Sequence, residues 1–383
     1  MSNSLLFIIA LFFFVACSSP KETKVINLKY SIEEQIKIDL DSVSTPINYC
    51  VQLLETDSCR FVATMGRTPF GINIYNLETK KKAHQIKLSS DGIDKVGVSN
   101  GFFIQSADTV LITSVPAIVS IFDINGKKAR DIKIEGSDQY VQTISSSNYR
   151  PLIIENQKIY GAYPFITKHW ETSLKDVSKY QHLFEYDLVK STIKWLNYSL
   201  PVGFWDSGIF SPEFSLISKG DSIVTVFSRD LRINVFSKSQ NKIISTLDLD
   251  TPEKMEFAKY QERPYGDEGV IKGLENGVIK GMVFDKYRNV YYVIFELPTN
   301  PELYQLSLLQ LYSNRPDFKV FVLDSNFEYR GEVLFKNYSA DQRELFVGRK
   351  GLYVSRNNQN NIDFDENYLI YDVIRFEGLD YED

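Results

Sequence analysis

The chain has 383 residues and a formal net charge of -6, from 43 Lys and Arg against 49 Asp and Glu. The basic residues are scattered, which excludes a nucleic-acid footprint. Phe (26) and Tyr (23) far outnumber Met (4), a bias that favours strands over helices.

The first element is an apolar run, Ser4 to Ala16, that ends at Cys17 and gives way to polar SSPKETK. It has the length of a secretory h-region and is too short for a bilayer-spanning helix. A cysteine directly after Val15-Ala16 resembles a bacterial lipobox, in which Cys17 becomes the lipid-modified N-terminus. Residues 1–16 are therefore expected to be a lipoprotein signal peptide, and 17–29 a flexible tether. Two features depart from the pattern: MSNS carries no Lys or Arg, and Phe14 stands where Leu is common. Cleavage near Ala16 with Cys17 left as a free thiol is the other outcome. Two or three acyl chains would hold the protein on a membrane, whereas one binds only marginally. The expected location is the cell envelope, at the outer membrane. Glu22 is the single acid of the tether, which leaves the periplasmic and outward faces both open.

Next comes INYCVQLL-ETDS-CRFVAT, read as a hairpin turning at Glu55–Ser58. In that register Cys59 faces Leu54 and Cys50 faces Ala63. A disulfide needs directly opposed partners, so two separate thiols are expected. No CxxC or Cys/His metal spacing occurs.

A weak repeat organises the remainder. Six times an apolar strand ends in a turn former, at Asn76, Asp123, Asp187, Ser237, Asp324 and Asp372. These positions lie 47, 64, 50, 87 and 48 residues apart. Such side chains stop strands by bonding the backbone just ahead. After the first five comes a polar turn and a further strand, such as KKAHQIKL or EYRGEVLF. A unit of about 40–50 residues with several antiparallel strands is one propeller blade, and six anchors give six blades. The sixth unit runs out before its outer strand, while Glu34 to Leu40 is a surplus one. Residues 32–40 are thus expected to close the ring as the outer strand of the last blade, removing an open sheet edge. The expected fold is an all-β six-bladed propeller over 30–383, with a pair of β-sandwiches as the alternative. Two intervals exceed a blade. One holds an insertion at about 251–281, helix-compatible from Glu253 to Gln261; the other includes YGAYPFITKHWETSLKDVSKYQHLF.

The lipobox, the blade size and the stretch MVFDKYRNVYYVIFEL together resemble the TolB-like propeller lipoproteins of Bacteroidetes-type bacteria. More narrowly, the chain resembles domain-of-unknown-function family 4221. The resemblance implies an envelope lipoprotein with a propeller body. It carries over no catalytic residues.

No GxSxG elbow, HExxH helix or P-loop is present. His84 falls in an outer strand, and His169 and His182 read as surface-loop histidines. Asp363-Phe-Asp365-Glu366-Asn367 lacks the Gly and closing Glu of a calcium loop and reads as a polar hairpin. Neither a catalytic residue, nor a metal site, nor a cofactor is expected. Aromatics in irregular segments are candidate anchors for a partner, since Trp and Tyr dominate hot spots. These are Tyr163, Phe165, His169 and Trp170, then Phe204, Trp205 and Asp206. A third candidate lip is Arg263, Tyr265, Asp267 and Glu268. The sequence thus points to a membrane-anchored envelope module that binds a protein or peptide. A hydrolase or lyase on glycan or peptide, and a glycan-binding propeller, are the alternatives.

Overall fold

The computed structural model describes residues 25–66, 70–136, 140–163, 170–252 and 255–381. The signal peptide, Cys17 and most of the tether lie outside the described residues. Strand β1 spans Tyr30–Asp39. The first blade follows, with β2 (Cys50–Glu55), β3 (Arg60–Met65), β4 (Gly71–Asn76) and β5 (Lys81–Lys87). The second holds β6 (Val98–Ser106), β7 (Thr109–Val115), β8 (Ile118–Phe122) and β9 (Lys128–Lys133). The third holds β10 (Ile153–Glu155), β11 (Lys158–Ala162), β12 (Leu183–Asp187) and β13 (Thr192–Trp195). The fourth holds β14 (Phe214–Lys219), β15 (Ser222–Phe227), β16 (Arg232–Ser237) and β17 (Lys242–Asp248). Helix α1 (Gly266–Leu274) precedes the fifth blade, made of β18 (Val278–Asp285), β19 (Val290–Glu296), β20 (Phe318–Leu323) and β21 (Tyr329–Phe335). Helix α2 (Leu308–Ser313) sits between β19 and β20. The sixth blade holds β22 (Asp341–Gly348), β23 (Gly351–Ser355) and β24 (Tyr368–Phe376).

Each blade is a four-stranded antiparallel sheet, and the sixth reads β1-β24-β23-β22. The N-terminal strand therefore closes the ring, as the surplus strand in the sequence required. Apolar core lies in six clusters, one at each seam between neighbouring blades. This explains the strand sequences. A blade buries both of its faces, so middle strands such as β20 (FKVFVL) are buried at every position. Outer strands such as β17 alternate half-buried and exposed residues over much of their length.

Five of the six anchors do what their chemistry requires. Asn76 Oδ1 accepts from the N–H of Glu78 and Thr79, at 2.9 and 2.7 Å. Asp123, Asp187 and Asp324 do the same, and Ser237 Oγ accepts from Gln240 N–H. The sixth differs. Asp372 lies inside β24, where its carboxylate accepts from Gln35 of β1 at 2.8 Å and from Arg356 at 3.1 Å. It marks a bond to the closing strand, not a strand end.

Two further expectations are corrected. The β2–β3 hairpin turns one residue later, pairing Glu55 with Arg60 and Cys50 with Met65. Both cysteines are unpaired, and burial pushes the Cys50 thiol up to about 12. In the insertion, the helix is α1, and the described part of Glu253–Gln261 is irregular. There Met255 packs into the fourth seam and Tyr260 bridges to Ile209.

All inner strands run the same way round the channel, which sorts the connections onto two faces. On the face where inner strands end, every connection between described strands is five residues or fewer. On the opposite face lie all those longer than ten: 134–152, 163–182, 196–213, 249–277, 297–317 and 356–367. These are called below the turn face and the loop face.

Candidate functional site

The channel does not run through the ring. The described residues 140–152 dip into it, and their tight turn Ser147–Arg150 forms a plug. Asn148 donates to the carbonyls of Arg343 and Leu345 on β22, both at 3.1 Å. Tyr149 donates to the Gln342 carbonyl and accepts, through its own carbonyl, from Leu216 N–H of β14 at 2.9 Å. Ser146 Oγ donates to the Phe102 carbonyl at 3.0 Å, and Cys50 Sγ approaches the Ser146 carbonyl at 3.4 Å. The plug thereby satisfies carbonyls on strands that have no inner neighbour. Two glycines make room for it. A Cβ on Gly101 would lie 1.7 Å from the Ser146 carbonyl oxygen, and one on Gly281 would lie 2.3 Å from the Tyr149 ring.

The plug divides the channel into two chambers that share Ser147 and Asn148 as wall. The turn-side chamber is about 650 Å³ and apolar, with residues from the inner strands of all six blades. The loop-side chamber is about 280 Å³ and has more charged side chains in its wall, with Arg150, Glu213, Lys280 and Arg343 beside Ser215. Its cations are engaged by groups outside the wall or by neutral oxygens. Arg343 forks onto Asp341, Lys280 lies 3.5 Å from Glu296, and Arg150 donates to the Phe214 carbonyl and Ser145 Oγ, each at 3.1 Å. Burial works against the Arg343 charge, but Asp341 holds its pKa above the usual arginine value. Glu344, beneath them, is fully buried. Burial and the neighbouring Asp341 push its carboxyl up to about 8. It accepts from Asn48 N–H at 3.0 Å and Tyr371 OH at 3.2 Å. Asp341 and Glu344 are each 1% exposed and line neither chamber, so neither reaches a substrate there.

On the loop face, Arg315 builds a second polar centre. It donates to the carbonyls of Gly273, Asn276 and Leu297, at 2.7, 2.5 and 3.0 Å. It also lies 3.8 Å from Glu296. Arg315 thus caps the C-terminal end of α1, where a cation is favoured, and ties α1 to the chain around α2.

The candidate residues fall into four groups. Phe204, Trp205 and Tyr163 are buried. Phe204 and Trp205 fill the seam between the third and fourth blades, and Trp205 Nε1 donates to the Phe210 carbonyl at 3.0 Å. They pack the core and present no contact surface. Tyr163 packs in the neighbouring seam, with its N–H on the His182 carbonyl. His182 is itself buried, not on a surface loop. Burial lowers its pKa to about 4, and Nδ1 lies 2.8 Å from the Tyr163 carbonyl. Trp170 is half-buried, edge-on to Tyr260 at 5.9 Å. Asp206, Arg263, Tyr265, Asp267 and Glu268 are exposed on the loop face. Phe165 and His169 lie outside the described residues. Of the two candidate tryptophans, Trp205 is thus buried, while Trp170 keeps part of its surface exposed. The plug went unread in the sequence. Its only signal is the surplus length between Asp123 and Asp187.

Fold and channel together define a six-bladed propeller with a plugged, two-chambered axis. The chain belongs to the family described as a domain of unknown function, DUF4221, which matches residues 26–333. It is similar to the crystal structure of a DUF4221 member from Bacteroides vulgatus. That match has TM-score 0.76 at 21% identity, covering 92% of this chain and 99% of that one. A Bacteroides fragilis protein whose name describes it as exported is similar at TM-score 0.57 and 10% identity, covering 93% and 98%. At these identities the likeness concerns the fold. No curated protein matches the sequence.

Proposed function

We propose that this protein is an exported envelope lipoprotein, anchored through Cys17, whose loop face binds a protein or peptide partner. One observation carries the reading: most strongly exposed apolar side chains lie on loop-face connections. Ile362, Ile93 and Val202 are 97, 91 and 90% exposed, and Tyr265, Leu303 and Leu309 are at least 70% exposed. All six sit on loop-face connections; Val189 is the one comparable residue in a turn-face connection. Exposed apolar surface rimmed by polar residues marks interaction sites.

The path of the chain supports the tether. Strand β1 begins at the turn face, and Ile26 and Leu28 hydrogen-bond to Glu332 of β21 on the outer rim. The eight residue-to-residue steps from Cys17 to Val25 span at most about 29 Å. A tether at Cys17 would thus leave the ring from its turn-face side, which favours a loop face turned to solution. The finding that no described helix is long and apolar enough to cross a membrane concerns helices alone.

The test is a crosslinked pull-down from intact cells. It compares the natural chain, Cys17→Ala, and the triple variant Tyr265→Ser, Leu303→Ser, Leu309→Ser. A partner recovered near equal amount from the natural chain and lost from both variants supports the proposal. A partner kept by the triple variant overturns the loop face as the contact. One kept by Cys17→Ala overturns the need for the tether.

A further inference from the structure

The turn-side chamber has no role in the reading above, and its chemistry is specific. Six side chains, one from each inner strand, form its wall: Leu53, Phe103, Ile154, Ile217, Phe284 and Val347. The plug closes its inner end, so it is a blind cavity. The other end opens between the turns, where Gly220 and Lys286 line it. At about 650 Å³ it falls within the usual size of small-molecule sites, which are mostly apolar with a few placed polar groups.

The rim supplies those polar groups, and they are cationic. Lys219 Nζ donates to Asn289 Oδ1 at 3.0 Å and lies 4.5 Å from the centre of the Phe284 ring. Lys286 Nζ lies 5.0 Å from the Tyr287 ring centre. Among the described residues neither ammonium forms a salt bridge. Glu155, the acid in the chamber wall, is already engaged by Lys238 and by Ser218 Oγ at 2.7 Å. Glu55, nearby, accepts from Tyr287 OH at 2.7 Å and from Arg349 N–H. The rim thus keeps two cations without a carboxylate partner beside an apolar interior.

We infer that the turn-side chamber binds a small amphiphile, its apolar body inside the ring and a single anionic head on Lys219 and Lys286. Burying the body removes apolar surface from water on both sides. The aromatic faces under the lysines hold the ammonium groups at the rim. The site is separate from the loop face, so failure of either leaves the other standing. With the turn face toward a membrane, the chamber would open toward a source of such molecules.

The test uses the full chain with Cys17→Ala, so that no acyl anchor of its own competes. Decanoate, decanol and decyltrimethylammonium are titrated by calorimetry below their micelle concentrations. Decanoate is expected to bind one to one, decanol at least fivefold more weakly, and the ammonium not at all. The double variant Lys219→Ala, Lys286→Ala should reduce decanoate to the affinity of decanol. Ile154→Trp, which fills the chamber, should abolish binding; Val347→Phe serves if that chain does not fold. No saturable decanoate binding overturns the inference. So does equal binding of all three heads, or decanoate binding unchanged by the lysine variant or by chamber filling.

Discussion

The two faces of this ring are built from different information. On the turn face the connections are short, and local chemistry shapes them. Side-chain oxygens of Asn76, Asp123, Asp187 and Asp324 close the turns. Left-handed backbone at Lys80, Asn156, Gln157, Ser191, Asn241 and Asn289 tightens these turns. On the loop face six connections exceed ten residues, and contacts between distant parts of the chain shape them. Arg315 holds α1 through carbonyls 18 to 42 residues away. Phe204 and Trp205 dive into a seam, and the plug reaches across the channel to β22. A face made of local signals is a fixed base, and a face made of distant contacts can be elaborated without disturbing it.

Breaking the tertiary side should cost most. Arg315→Met removes the cap of α1 and leaves Glu296, 3% exposed, without that cation. Losing three carbonyl bonds and one of the two cations beside Glu296 should cost about 3 kcal/mol, measured by urea unfolding. A loss under about 1 kcal/mol would show that the loop face is not held this way.

Glu344→Gln tests the polar centre behind the loop-side chamber. The folded pKa of about 8 exceeds the ordinary 4.5, so between these values the fold keeps a proton that the unfolded chain has lost. Stability contributed by that proton is full below pH 4.5 and falls as pH rises through 8. The glutamine variant should melt higher than the natural chain at pH 9 and show a flatter melting profile from pH 5 to 9. Parallel profiles for the two proteins would refute the assignment.

The smallest effect belongs to the turn face. Gln157 has φ 61° beside Asn156 at φ 50°, in the two-residue turn between β10 and β11. Asn-Gly is the preferred pair there, so Gln157→Gly should stabilise by about 0.5–1 kcal/mol. A destabilised variant in urea unfolding would mean that the Gln157 side chain has a tertiary role.

The same contrast decides what could be read in the chain. The blade count was legible because Asn76, Asp123, Asp187, Ser237 and Asp324 act on backbone a few residues ahead. Asp372 looked identical and does something else, because its partner Gln35 is 337 residues away. The helix was misplaced for a related reason. Gly266–Leu274 contains three glycines and no side-chain N-cap, so its intrinsic preference is weak. Arg315 supplies what the segment lacks. SSSNYRP reads as polar loop, and only six strands around it make it a plug. Likewise nothing local distinguishes the buried Trp205 from the half-exposed Trp170.

The closing strand has a consequence in time. During synthesis β1 emerges first and its partner β24 last. Blades one to five can form from neighbouring segments as they appear, whereas the sixth must wait for both ends of the chain. Long-range pairing of this kind is slow relative to local hairpins. Until it forms, the seam holding Ile36, Ile38, Tyr353 and Tyr371 is incomplete. The ring is thereby a check on chain completeness: a product cut short before Tyr368 leaves β1 with a bare edge and the first blade with an uncovered side.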